Sequence, residues 1–238
     1  MQLINDDCLN AMKDIKEKSI DLICCDLPYG TTKCVWDIII PFDELWNQYN
    51  RIVKDNGAIL LFGQEPFSSL LRTSNIKNYK YDIYWQKERP TNVFQVKKRP
   101  GKVIETISVF YKKQPTYNPI MTKYEGKPVK NKVKGNFGAL VDSGEKKPYN
   151  YIDTGYRYPL QIVKFNRDVL TSNLHPTQKP LELIKYLIQT FSNENDLVLD
   201  NCMGSGTTGV ACKELNRNFI GIEKDKNYFE IAEKRINA

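Results

Sequence analysis

Leu197-Val198-Leu199-Asp200-Asn201-Cys202-Met203-Gly204-Ser205-Gly206-Thr207-Thr208-Gly209 reads as a strand that breaks into a glycine-rich turn and opens a helix. Gly204, Gly206 and Gly209 satisfy the spacing G-x-G-x-x-G. Glycines let a backbone turn sharply and approach a ligand without a clashing Cβ. Glu223 closes the next apolar run, Phe219–Ile222, where an acid grips ribose hydroxyls. A tight structural turn could satisfy the same spacing alone. Strand, turn, helix and acid in this order predict an adenosine-containing cofactor.

The spacing does not separate a nicotinamide dinucleotide from S-adenosylmethionine, but position does. In a dinucleotide enzyme such a turn starts the domain and further strand–helix units follow it. Here one strand and one helix remain beyond the helix that the turn opens. The other strands must come from earlier: Gln2–Ile4, Ile20–Cys25, Ala58–Phe62, Tyr81–Trp85 and Thr106–Tyr111. They alternate with helix-period stretches near Cys8–Ile15, Phe42–Val53, Pro66–Arg72, Pro180–Phe191, Thr207–Leu215 and Asp225–Ile236. Pro180 suits a first helical position, and Leu181, Ile184 and Ile188 repeat along one face. The pattern predicts an α/β fold: a Rossmann-like sheet of about seven strands in permuted order.

The bulk composition fits one medium-sized soluble domain: 238 residues, 41% hydrophobic, 26% charged, formal net charge +7. The longest apolar run, Ala58–Phe62, falls far short of the roughly 20 residues that span a bilayer. Asp6 and Asp7 precede any basic residue, which is not the form of a secretory signal. Six cysteines include no Cys-x-x-Cys pair, which predicts free thiols in a reducing cytoplasm. His175, the sole histidine, excludes metal sites built on two histidines, and no metal is expected.

Charge is unevenly spread. Residues 77–147 hold 17 Lys and Arg against six acids, while the rest holds 18 against 22. Tyr111, Tyr117, Tyr124, Asn118, Asn131 and Asn136 are interspersed there. Basic residues neutralise phosphates, and aromatics and amides address bases; a solvated charged face would look the same. Between Lys112 and Arg167 the periodicity fails and glycines punctuate a basic stretch, which predicts an insertion from the sheet.

The run Ile20–Cys25 ends in Asp26-Leu27-Pro28-Tyr29-Gly30. Ligands of open α/β sheets bind outside strand C-termini. There Asp26 could accept a hydrogen bond from an exocyclic amine, the carbonyl beside Pro28 could accept a second, and Tyr29 could stack on a base. An ordinary turn with a locally packed tyrosine is the plainer alternative.

Taken together, these residues resemble the amino methyltransferases of DNA, which carry Asp-Pro-Pro-Tyr or a close variant. The order matches their beta class, prophage-type members especially: catalytic turn first, basic recognition region next, cofactor glycines last. The resemblance spans nearly the whole chain. It implies methyl transfer from S-adenosylmethionine to adenine N6 in DNA, through a flipped-out base, with Asp26, Pro28 and Tyr29 catalytic. Asp7 and Cys8 resemble the segment that meets the cofactor's adenine. His175-Pro176-Thr177-Gln178-Lys179-Pro180 resembles the segment lining its methionine end, through His175, Thr177, Gln178 and Lys179. Asp200, Gly204, Ser205, Gly206, Thr207 and Thr208 match the glycine motif, and Glu223 the ribose acid.

For DNA contact, the expected residues are Lys97, Lys98, Arg99, Lys130, Lys132 and Lys134. The implied organisation is a catalytic half over residues 1–111, a target-recognition insertion over 112–170 and a cofactor half over 171–238. A homodimer and a cognate restriction endonuclease are the implied partners besides DNA. Leu27 departs from the usual first proline, which loosens the link to one target base. Cytosine N4 methylation is the alternative within the family, although Asp26 stands where such enzymes often carry Ser. RNA or protein-glutamine methylation shares the turn, and a non-catalytic nucleic-acid-binding module is the alternative outside it. Cytosine C5 chemistry needs a nucleophilic Cys, typically after Pro, and there is no Pro-Cys pair.

Overall fold

The computed structural model describes residues 1–32, 37–126, 154–168 and 178–238. Its strands are β1 (Gln2–Ile4), β2 (Ile20–Cys25), β3 (Val53–Gly63), β4 (Tyr79–Gln86), β5 (Ile104–Phe110), β6 (Thr122–Lys123), β7 (Tyr156–Arg157), β8 (Ile162–Lys164), β9 (Leu197–Asp200) and β10 (Asn218–Ile222). The helices are α1 (Cys8–Ala11), α2 (Phe42–Ile52), α3 (Phe67–Ser74), α4 (Leu181–Phe191), α5 (Thr207–Glu214) and α6 (Lys226–Asn237). Eight strands form one sheet in the order β1-β10-β9-β2-β3-β5-β4-β8, so the permuted α/β arrangement is present. Among the described strands of this sheet, only β5 runs antiparallel to its neighbours.

Alternation along β2 shows why both faces need helices. Leu22 and Cys24 point into one buried cluster, Ile23 and Cys25 into the other. Helices α4, α5 and α6 cover the first, through residues such as Leu183, Leu187, Ala211 and Ile236. Helices α1, α2 and α3 cover the second, where Leu45, Trp46, Tyr49 and Ile52 form the inward stripe of α2. Each fully buried Leu or Ile contributes about 1.5–3 kcal/mol relative to exposure. Asp225 caps α6 by accepting from the backbone N–H groups of Asn227 and Tyr228.

The sheet has eight strands where about seven were expected. The additional one, β8, is three residues long and pairs with β4 through Tyr84, Trp85 and Gln86. Trp85 Nε1 donates to the Phe165 carbonyl at 2.8 Å just beyond it. So short a strand leaves no periodicity to read; its partner creates it. Strand β3 likewise starts at Val53, five residues before the apolar run, because Val53 pairs with Ile20 and Lys54 with Asp21 at 2.6 Å. Pro180 sits at the N-cap of α4, one position outside the helix, with ψ 134°.

The chain divides into two compact units, residues 1–118 with 160–238, and residues 119–159. The larger holds the eight-stranded sheet. The smaller holds the antiparallel pair β6–β7, with the Arg157 guanidinium 4.1 Å from the centre of the Tyr124 ring.

Candidate active site

Parallel strands put their C-terminal ends on one edge of the sheet. Strands β9 and β2 are neighbours there, and their chains depart to opposite sides, β9 towards β10 and β2 towards β3. This is the switch point at which open α/β sheets leave a crevice. The glycine turn after β9 and the Asp26–Tyr29 turn after β2 both lie at this edge.

Asp26 is half-buried and accepts hydrogen bonds from the Tyr29 hydroxyl and from Lys179 Nζ. Lys179 also lies 3.1 Å from Glu105 Oε1, and Lys87 lies 2.6 Å from Glu105 Oε2. Lys87, Glu105, Lys179 and Asp26 therefore form a row of alternating charge, with Lys87, Glu105 and Lys179 buried. Aromatic faces support the cations: Lys87 lies 4.8 Å from the Trp85 ring and Lys179 5.1 Å from the Phe62 ring. The Tyr29 hydroxyl also reaches Glu105 at 3.3 Å, and its ring stacks on Phe67 with centroids 4.9 Å apart.

Burial and the charge of Glu105 push the Asp26 carboxyl above its ordinary range, although Lys179 opposes them. Burial would raise Glu105 too, but Lys179 and Lys87 outweigh it and hold that carboxyl well down, at about 2. Burial and both carboxylates push the Tyr29 hydroxyl up, so it stays protonated and donates. Asp37 shapes the turn itself. Its oxygens accept from the backbone N–H groups of Tyr29, Gly30, Thr31 and Thr32 at 2.6–2.9 Å. Leu27 is a core residue, which separates its side chain from the polar work of the turn.

In the glycine turn, Gly204 and Gly206 adopt φ of 49° and 79°. Gly204 N–H donates to Glu223 Oε2 at 2.9 Å and Asp225 N–H to Glu223 Oε1 at 2.8 Å. Each carboxylate oxygen keeps a lone pair for a further donor. Asp7 caps α1 through the Leu9 N–H and pairs with Lys224 at 3.1 Å, and Asp7 and Glu223 follow the neighbouring strands β1 and β10. Asp200 is buried, accepting from Thr208 Oγ1 at 2.6 Å and Cys202 N–H at 3.1 Å. Burial raises its carboxyl to about 6. Its polar partners are internal: Thr208 and Cys202 in the turn, and the Cys25 thiol on β2. Cys8 is buried beside Cys202, and Ser205 Oγ donates to Gln178 Oε1 at 3.4 Å.

Gly206 and Gly209 are buried against α6 rather than exposed to the crevice. A Cβ on Gly206 would lie 2.9 Å from Ala232 Cβ and 3.1 Å from the Ala232 backbone. Gly206→Val is therefore expected to destabilise the fold by about 2–5 kcal/mol, combining a left-handed β-branched residue with overpacking. Urea unfolding measures it; an unchanged midpoint would mean that α6 yields freely.

Lys97, Lys98 and Arg99 are exposed on the loop between β4 and β5, which rises from the same edge. Lys130, Lys132, Lys134, His175 and Thr177 lie outside the described residues. The structure brings Asp26, Tyr29, Gln178, Lys179, Ser205 and Glu223 to one edge, but it joins Lys179 to Asp26 rather than leaving it for a ligand alone. The sequence assigns no site role to Glu105, Lys87 or Asp37. Glu105 had a signal, an acid inside the otherwise uncharged run Ile104–Phe110.

Residues 20–234 match a family model described as DNA methylase. The chain is 30% identical to the DNA adenine methyltransferase YhdJ of Escherichia coli K12, over 99% of this chain and 82% of that protein. It is 28% identical to the type II methyltransferase M2.LlaDCHI of Lactococcus lactis subsp. cremoris, over 99% of this chain and 88% of that protein. The crystal structure of an M1.HpyAVI–SAM complex superposes with a TM-score of 0.65 at 28% identity, covering 100% of this chain and 99% of that one.

Proposed function

The chain belongs to the DNA methylase family, and on that premise we propose that it methylates the N6 amine of adenine in DNA, using S-adenosylmethionine. The likeness to an adenine methyltransferase supports the base, and the likeness to a protein solved with SAM supports the methyl donor. The observation that carries the reading is Asp26, a half-buried carboxylate held by a hydroxyl and an ammonium beside the glycine turn.

The residues fit this donor: two acids, Asp7 and Glu223, follow neighbouring strands and offer acceptors for adenosine hydroxyls and an amine, and the glycine turn is bonded to Glu223. We assign Asp7, Cys8 and Glu223 to the adenosine half. Gln178 and Lys179, with His175 and Thr177, are assigned to the methionine end. Gly204, Ser205, Gly206 and Thr207 shape the floor, which Asp200 and Thr208 brace from within. S-adenosylmethionine, when bound, supplies an electrophilic sulfonium methyl.

The chain's own residues prepare the nucleophile. The exocyclic amine's lone pair is delocalised into the purine ring. Asp26 and the carbonyl beside Pro28 accept its two N–H hydrogens, favouring a more tetrahedral nitrogen. Positive charge developing on that nitrogen is stabilised by Asp26 in a poorly solvated site. Tyr29 stacks on the flipped base with Phe67 behind it, and its hydroxyl holds Asp26 in place. Extrusion of the base costs a few kcal/mol, which these contacts offset.

The basic insertion and Lys97, Lys98 and Arg99 are assigned to the DNA backbone, with residues 112–170 reading the target. The likeness to a type II methyltransferase supports a cognate restriction endonuclease as a partner, and a homodimer is the assembly we assign. No described helix is long and apolar enough to cross a membrane, and we place the protein with its DNA in the cytoplasm. Expression beside a plasmid, followed by single-molecule sequencing, tests the reading. N6-methyladenine in one sequence context is the expected result. Methyl groups on cytosine N4 would reassign the base, and unmodified DNA would sink the proposal.

A further inference from the structure

The loop between β4 and β5, residues 87–103, is built to hold its tip away from the protein. Lys87 N–H donates to the Val103 carbonyl at 2.8 Å, and Thr91 N–H to that of Lys102 at 3.0 Å. Asn92 crosses the loop, accepting from Lys102 N–H at 2.6 Å and donating to the Pro100 carbonyl at 3.1 Å. Pro90 packs so closely on Gly101 that a Cβ there would sit 2.9 Å from its ring. Gln95, Lys98 and Arg99 close the tip with backbone hydrogen bonds of 2.8–3.0 Å. Below, Lys87 is paired to Glu105, and Glu88 to Arg167 at 2.8 Å.

On this braced stalk Phe94 is 99% exposed, with Val93 and Val96 about half exposed beside it. A phenylalanine forgoes a large apolar burial in that position, although the loop holding it is ordered by its own bonds. Lys97 and Lys98 at the tip and Arg89 on the stalk are exposed and without an ion-pair partner among the described residues. The apolar core of a protein interface is depleted of charge, and lysine in particular. An apolar wedge ringed by cations fits a duplex instead: cations meet phosphates while the wedge parts a base step.

We propose that Phe94 enters the base stack of duplex DNA beside the target, occupying the space the flipped base leaves. The inference rests on the DNA-methylating function proposed above and adds how extrusion is held open. It gives the stalk a purpose, because a wedge must resist being pushed back. The base of the stalk, Lys87, is paired to Glu105 in the same ion row as Asp26, which ties the loop to the catalytic turn.

The test compares wild type with Phe94→Ala and Phe94→Leu on two duplexes carrying the sequence context found by plasmid sequencing. One is fully paired; the other has an abasic site opposite the target, so the base is already unpaired. Single-turnover methyl transfer by Phe94→Ala should fall about tenfold or more on the paired duplex and less than about threefold on the opened one. Phe94→Leu should recover most of the rate, because an apolar wedge is kept. Unfolding midpoints should match wild type, since the side chain touches nothing that folding needs. Equal rates for Phe94→Ala and wild type on paired DNA would overturn the wedge. So would an equal loss on both duplexes, or a wild-type dimer in sedimentation that Phe94→Ala breaks, which would make the tip a contact between copies. A wild type that methylates neither duplex would instead overturn the underlying function, and the wedge with it.

Discussion

Asp26→Ala should lower methyl transfer about a hundredfold or more while S-adenosylmethionine affinity changes by less than about threefold. Removing one positioned group that stabilises transition-state charge typically costs 10²–10³ in rate, and Asp26 is the acceptor proposed for the target amine. The fold should survive, because Lys179 keeps its 3.1 Å partner Glu105 when Asp26 is removed. Activity and cofactor binding should therefore separate, which a general collapse of the site would not allow. Labelled methyl transfer gives the rate and calorimetry gives the affinity. A variant retaining more than about a tenth of the wild-type rate, a barrier change under ~1.4 kcal/mol, would remove Asp26 from the chemistry.

Glu105→Ala should destabilise the protein by about 3–5 kcal/mol, the usual result of stranding a buried charge. Its carboxylate is shared by two buried ammonium groups, Lys87 at 2.6 Å and Lys179 at 3.1 Å. Lys179 would keep Asp26, whereas Lys87 would keep only its ring contact with Trp85. Adding Lys87→Met should return part of the loss, and a double-mutant cycle in urea measures the coupling.

The pH dependence has a definite sign. The folded Glu105 carboxyl lies at about 2, below its ordinary 4.5, so it binds its proton more weakly when folded. Its contribution is fully present above about pH 4.5 and is lost as pH falls towards 2. Glu105→Gln should accordingly flatten the acid limb of stability in that window. Stability and acid limb both unchanged in these variants would mean that the lysines find other partners.

Much of the fold was open to local reading. Apolar runs in β2, β9 and β10, the inward stripes of α2 and α4, and the acid at Glu223 depend on neighbours a few positions away. The short strand β8 and the polar start of β3 were not, because their conformation is imposed by strands remote in sequence. The glycines illustrate the boundary. Their spacing marks the turn, yet the crowding that a Cβ on Gly206 would meet comes from Ala232 on a later helix.

By itself the sequence determined the strand–turn–helix order, the permuted position of the glycine turn, the Asp26–Tyr29 turn and the basic middle third. Each of these is written in consecutive residues, where periodicity, glycine spacing and charge are local properties. Only the tertiary structure decided that Lys179 pairs with Asp26 across 153 positions, that Glu105 joins Lys87 to that pair, and that Phe94 stands clear on a braced loop. Burial gives those charges their weight, and burial depends on which segments the sheet brings together.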